Sequence, residues 1–85
     1  MPNESGESQS NVKLPPYDLD AEEAVLGSLL IDPEAIFKIV IVLKPEDFYR
    51  EKNRWTYEGC LSIYERREAI NQITLAHELA RQQKL

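Results

Sequence analysis

The chain has 85 residues, a formal net charge of −5 and a single cysteine. That length holds one small domain, and a lone Cys60 excludes an internal disulfide framework and fits a reducing cytoplasm. The negative charge disfavours a free-standing nucleic-acid binder, whose phosphate contacts draw on lysine and arginine, and no apolar run approaches the roughly 20 residues that span a bilayer.

Residues 1–13 are rich in Ser, Asn and Glu and nearly devoid of apolar side chains. Such a segment cannot bury enough surface to offset its ordering entropy, so a disordered tail is expected there. It also lacks the basic start and apolar centre of a signal peptide. A domain is expected over 14–85. Pro15 and Pro16 fix an extended lead into it and cannot continue a helix backwards. Asp20 and Glu23 then stand at capping-box spacing, and acidic residues suit the positive end of a helix dipole. The first helix is predicted over Ala21–Ile31. Ala21, Ala24, Val25 and Leu29 share one face, and Leu26 and Leu30 widen it. Gly27 lies mid-helix, explained either by close approach of a neighbouring helix or by plain tolerance.

Asp32-Pro33 restarts the chain, with Asp32 placed to cap and Pro33 at the first helical position. Ala35, Ile36, Ile39, Val40 and Leu43 follow helical spacing. The β-branched run Ile39–Val42 would also suit a buried strand, but the cap and the lack of a partner strand favour a helix ending at Lys44-Pro45. The stretch Pro45 to Tyr49 reads as a tight turn that plugs its aromatics into the core. A third helix is predicted over Asn53–Arg67, with Tyr57, Cys60, Leu61 and Tyr64 as its apolar stripe and the run Glu65 to Glu68 as a solvated charged end. The fourth starts at Asn71 as N-cap, with Ile70 stapling onto Leu75, and buries Leu75, Ala76, Leu79 and Ala80. The fold class is therefore all-α, a small bundle of about four helices.

Catalytic chemistry has no foothold in this pattern. Gly6, Gly27 and Gly59 are isolated, so no phosphate-binding loop can be drawn. One histidine and one cysteine do not make a zinc site, and His77 falls on the polar flank of the fourth helix. Glu22-Glu23 and Glu46-Asp47 are sequence neighbours, which do not face each other on a helix. Arg50, Lys52 and Arg54 form the one basic cluster, read as a solvated turn. No catalytic residue, cofactor site or metal site is expected in the chain. On the second helix, Phe37 and Ile41 are i, i+4 neighbours outside the main stripe, with Val42 on the other flank. They serve either as extra core packing or as an exposed apolar patch that receives a partner.

One string carries more than a cap. Pro15-Pro16-x(4)-Ala21-Glu22-x(2)-Val25-Leu26-Gly27-x-Leu29-Leu30 resembles the opening of the N-terminal domain of DnaB-type replicative DNA helicases. The likeness continues through Leu43-x-Pro45-x-Asp47-Phe48-Tyr49, Arg54, and Ile70-x(3)-Thr74-Leu75-x(3)-Leu79. Departures are Asn53 where the family often has His, Thr56-Tyr57 for an Ile-Phe pair, and Ala69 and Asn71 for a common Pro and Asp. The resemblance implies an all-helical domain on a hexameric ring helicase, contributing to a collar of paired domains and to docking of the primase. It places ATP and magnesium, 5′-to-3′ unwinding and most DNA contact in a separate motor domain, and dimer contacts in a helical hairpin beyond this segment. The chain then corresponds to the globular head, not itself an enzyme. Its expected partners are other helicase subunits and primase, with Phe37, Ile41 and Val42 as candidate contacts. The alternative is a stand-alone acidic helical adaptor using the same patch. A helix-turn-helix DNA binder is disfavoured by charge and by the lack of a basic recognition helix.

Overall fold

A computed structural model describes Leu14 and residues 18–85. The expected tail over 1–13 and the extended Pro15-Pro16 lead lie outside the described residues. Four α-helices follow in order: α1 Leu19–Ile31, α2 Ile36–Val42, α3 Glu51–Glu65 and α4 Gln72–Arg81. Short 3₁₀ turns, Pro33–Ala35 and Pro45–Asp47, precede α2 and α3. The described residues contain no strand, so the all-α class stands and the β-branched run of α2 is helical.

The N-cap of α1 is Asp18, whose carboxylate accepts from the Ala21 N–H at 3.0 Å. The expected Asp20–Glu23 capping box does not form there. Starting the helix at Leu19 turns Glu22, Leu26 and Leu29 inward at i, i+4 and i+7, while Ala24 stays exposed. The buried stripe of α1 is thus led by a glutamate. The Asp32 side chain makes no cap bond; its N–H closes α1 on Ser28 O at 2.8 Å and its carbonyl accepts from Ala35 at 2.9 Å. With Pro33 at its first position, the chain takes a 3₁₀ turn over Pro33–Ala35 and then enters α2 at Ile36.

The segment after α2 shows what Leu43-x-Pro45-x-Asp47-Phe48-Tyr49 is for. Leu43 and Lys44 are extended, as a residue before proline prefers. The Asp47 carboxylate accepts from the Lys44 N–H at 2.8 Å and fixes the turn. Phe48 is thereby driven inside, 1% exposed, and its ring lies 5.0 Å from that of Tyr57. The Tyr57 hydroxyl donates to Leu43 O at 2.8 Å, so a buried polar tip is satisfied. Burial pushes this phenol up to about 12. Tyr49, expected inside with Phe48, is 57% exposed, because consecutive residues of an extended segment point opposite ways.

Glu22 joins three elements. It is 1% exposed and accepts from the Tyr49 N–H at 2.5 Å, the Arg50 N–H at 3.3 Å and the Asn53 side-chain amide at 2.8 Å. The N-cap residue of α3, Arg50, makes no side-chain cap; a carboxylate from α1 does that work and sits at the positive end of the α3 dipole. Burial alone would raise the Glu22 carboxyl. The Asn53, Tyr49 and Arg50 donors outweigh it and hold the group below its ordinary 4.5. Arg54 completes the joint by donating to Phe48 O and Tyr49 O, each at 2.9 Å, so it is not a solvated member of a basic turn.

On α3 the observed stripe is Asn53, Tyr57, Cys60 and Ile63, with Leu61 and Tyr64 only half-buried. The expected stripe was rotated toward Tyr64 because it gave Asn53 no inward role. Burial pushes the Cys60 thiol up to about 11; it is protonated near neutral pH and packs as a small apolar group. The helix ends in a Schellman motif, with Glu68 N–H on Ile63 O and Arg67 N–H on Tyr64 O, and Arg67 takes φ 61° in the position that usually selects glycine. Asn71 caps α4 as expected, accepting from Ile73 and Thr74 at 2.9 Å each, and Thr74 Oγ1 accepts back from Asn71 N–H at 3.0 Å. Ile70 and Leu75 are both buried in the core.

The close helix approach lies at Gly59, not Gly27. A Cβ built on Gly27 would meet nothing within 4 Å, whereas one on Gly59 would lie 3.0 Å from Leu75 Cδ1 and 3.4 Å from Leu79 Cδ2. Next to this contact, Glu78 is 2% exposed and pairs with Arg81 at 2.7 Å and Arg66 at 2.9 Å. Gln82 donates to its other oxygen. The Arg81 guanidinium, against the opposing pull of burial and helped by Gln82 and Arg66, holds this carboxyl at about 2. The run Glu65 to Glu68 is therefore not a solvated end alone: Arg66 ties α3 to α4.

Two outcomes are expected from this packing. Gly27→Ala should stabilise by about 0.5–1 kcal/mol, the ordinary helix gain. Gly59→Ala should show no such gain, because the new methyl displaces Leu75, and Gly59→Val should destabilise outright. Thermal unfolding by circular dichroism checks this; equal gains at both glycines would remove the close-approach role of Gly59.

Glu22→Gln should cost about 1–3 kcal/mol near neutral pH, since an amide carbonyl cannot serve all the donors. A carboxyl lowered on folding contributes stability that is present above its unfolded value of about 4.5 and is lost as pH falls below it. The gap between wild type and variant should accordingly shrink between pH 7 and pH 3 in urea unfolding. A gap of constant size would show that folding does not lower the Glu22 carboxyl below its unfolded value.

Candidate protein-interaction face

The buried side of α2 is supplied by Ile36 and Ile39, with Leu43 following at its C-cap. Their spacing leaves the opposite side of a short, almost wholly apolar helix largely exposed among the described residues. Phe37 is 58% exposed and Ile41 80% exposed, while Val42 is half-buried against the core. Of the two readings open for these side chains, core packing holds for Val42, and exposure for Phe37 and Ile41. A helix of seven residues with both faces apolar leaves one face uncovered in so small a domain.

Phe37 continues into a groove. Its ring meets Tyr64 of α3 edge to face, with centroids 5.6 Å apart and planes at 71°. Together they wall a concavity of about 710 Å³ whose base is closed by Ile36 and Ile70. Glu34, Glu65 and Glu68 stand around it. A smaller concavity on another side is bordered by Ile31 and Ile73, which are 86% and 68% exposed. Spacing within α2 could reveal Phe37 and Ile41. Tyr64 packs half-buried against the core as its place in the α3 stripe predicts, and its contact with Phe37 depends on two helices being brought together.

The described residues offer little chemistry beyond binding. They hold no group of three or more His, Cys, Asp or Glu side chains that could ligate a metal. Both buried carboxylates, Glu22 and Glu78, are committed to hydrogen bonds and ion pairs. His77 is exposed on α4, and Glu46 and Asp47 belong to the turn before α3. No helix among the described residues is long and apolar enough to cross a membrane. Lys84 lies over the Trp55 ring at 4.5 Å, which uses that aromatic face internally.

Comparison with known proteins supplies the context for this face. The family model for the DnaB-like helicase N-terminal domain matches residues 14–85. The replicative DNA helicase DnaB of Leifsonia xyli subsp. xyli is 37% identical over 78 residues, covering 92% of this chain and 17% of that protein. The DnaB of Geobacillus stearothermophilus is 36% identical over 73 residues, covering 86% and 16%. The chain thus spans about a sixth of the length of these curated relatives. The crystal structure of the N-terminal domain of DnaB helicase from Mycobacterium tuberculosis superposes with a TM-score of 0.79 at 40% identity, covering 85% of this chain and 51% of that one. With the four-helix order, the inward Glu22 and the Leu43–Tyr49 turn all falling within the matched stretch, the chain belongs to the DnaB-like helicase N-terminal domain family.

Proposed function

We propose that this domain forms part of the N-terminal collar of a bacterial replicative DNA helicase and contributes to primase docking, with Phe37 and Ile41 as supporting contacts and Val42, packed against the core, behind them. The observation that carries the reading is the uncovered apolar face of α2 on a domain of this family. ATP, magnesium and duplex unwinding belong in this reading to a motor domain of the parent protein, and the parent works in the cytoplasm as a hexamer. The domain itself supplies surfaces rather than chemistry. Its core is small, and a domain of roughly 70–80 residues seldom gains more than about 3–5 kcal/mol from its core. It cannot also carry a large exposed apolar interface without becoming prone to aggregate. The strongest subunit contacts therefore lie in the helical hairpin expected beyond this segment, and α2 adds to them. A stand-alone adaptor unrelated to replication would use the same patch, but membership of the helicase family favours the collar.

The test is Phe37→Ser/Ile41→Ser in the full-length parent. Both side chains are more than half exposed, so the fold should persist. Hexamer stability or primase affinity should fall by about tenfold, the effect of losing one well-buried apolar anchor. Unchanged assembly and primase binding in a folded variant would remove the α2 patch from the interface.

The isolated domain should hydrolyse no nucleotide, and at physiological salt it should bind single-stranded DNA more weakly than the about 10⁻⁴–10⁻⁶ M typical of non-specific binders. Its net charge of −5 repels phosphate. Nucleotide turnover abolished by a point change in this chain, or tight binding in a fluorescence-anisotropy titration, would contradict the assignment of both activities to the motor domain.

A further inference from the structure

The groove beside α2 has a second property besides its apolar walls. Glu34 lies on the Pro33–Ala35 turn and Glu65 at the end of α3, and both line the concavity together with Phe37 and Tyr64. Among the described residues neither carboxylate has an ion-pair partner, whereas Glu68 is engaged by Arg66 at 3.2 Å. Arg67 is the one cation in the lining, set against three glutamates. Solvent-exposed apolar walls beside carboxylates that have no ion-pair partner among the described residues favour an occupant that brings apolar side chains and cations together. The backbone limits its form. The groove is built from helices and a 3₁₀ turn, with no strand edge among the described residues. An extended peptide would find no ladder to join, so the fitting mode is an amphipathic helix laid into the groove. The net charge of −5 adds long-range attraction for a cationic partner.

We propose that this groove docks a basic amphipathic helix of a partner protein, its apolar stripe against Phe37 and Tyr64 and its Lys or Arg residues against Glu34 and Glu65. The inference rests on the α2 face being an interaction surface and deepens it by naming the chemistry of what binds. The partner helix needs only about two turns of contact, an i, i+3, i+4, i+7 apolar set with cations on both flanks.

The probe is a synthetic helical peptide of about 18 residues, five turns, built from Leu and Lys in an amphipathic pattern. A counterpart has Glu at every Lys position. Both are titrated into the labelled 85-residue protein and followed by amide chemical shifts. The Lys peptide should shift Phe37, Tyr64, Glu65 and Ile70 and bind at least about tenfold tighter than the Glu peptide, with the advantage shrinking as salt rises. Glu34→Lys/Glu65→Lys, both exposed positions, should erase that preference while the circular dichroism spectrum stays helical. Three results would overturn the proposal: equal binding of both peptides, shifts centred on Ile31 and Ile73 instead, or concentration-dependent shifts at the groove without peptide, which would assign it to a second copy of the chain. The charge-reversed protein keeps Phe37 and Ile41. Normal helicase assembly with lost peptide preference would therefore support the groove, and intact preference in that variant would sink it without touching the collar reading.

Discussion

Glu22 is the charge around which the first half of the domain is arranged. A buried carboxylate is costly unless hydrogen bonds replace its water, and here they come from two backbone N–H groups and one side-chain amide of the segment that opens α3. The exchange satisfies both sides. Helix α3 begins without a side-chain cap of its own, so its N-terminus needs an acceptor; α1 supplies one that carries charge. The direction of the Tyr49–Asn53 turn, the inward path of Phe48 and the reach of Arg54 to the Phe48 and Tyr49 carbonyls all follow from that joint. Because each donor comes from a fixed position on the chain, these three bonds hold α1 against the start of α3 at a defined register.

The second half is held by different physics. Gly59 lets α4 approach α3 closely enough for Leu75 and Leu79 to pack over it. Beside that contact Glu78 gathers Arg66 and Arg81 from either side of the helix pair. Close packing is short-ranged and intolerant of added volume, while a shielded ion pair fixes orientation at the cost of desolvation. Used together they set both the spacing and the rotation of α4. The left-handed Arg67 then turns the chain sharply between the two helices.

Helix α2 is the element least absorbed by this arrangement. It is short, its buried side is used up by Ile36 and Ile39, and its other side is apolar without being covered. A domain of this size exposes a large fraction of its surface whatever its sequence. What sets α2 apart is that it exposes Phe37 and Ile41, and that Phe37 borders a groove with Tyr64 and with Glu34 and Glu65, which have no ion-pair partner among the described residues. Such a surface is one that a neighbour could cover, adding to the stability that the domain's own core supplies.

Helical periodicity, the Asn71 cap and the prolines at 33 and 45 made the four helices and their order legible from the chain alone, since these signals are local. The family likeness was legible for the same reason: it rests on turn and cap residues whose spacing is kept whatever the surroundings. Phe37 and Ile41 could be singled out by i, i+4 spacing, but whether they faced solvent could not, because periodicity marks an apolar face without saying what covers it. The inward turn of Glu22, the close contact at Gly59 rather than Gly27, the burial of Glu78 under two arginines and the pairing of Tyr64 with Phe37 depend on residues far apart in sequence. A carboxylate reads as solvated until its donors are placed around it, and a glycine reads as tolerated until a second helix lies against it. Those facts were decided by tertiary structure, because desolvation and close packing exist only between elements already brought together.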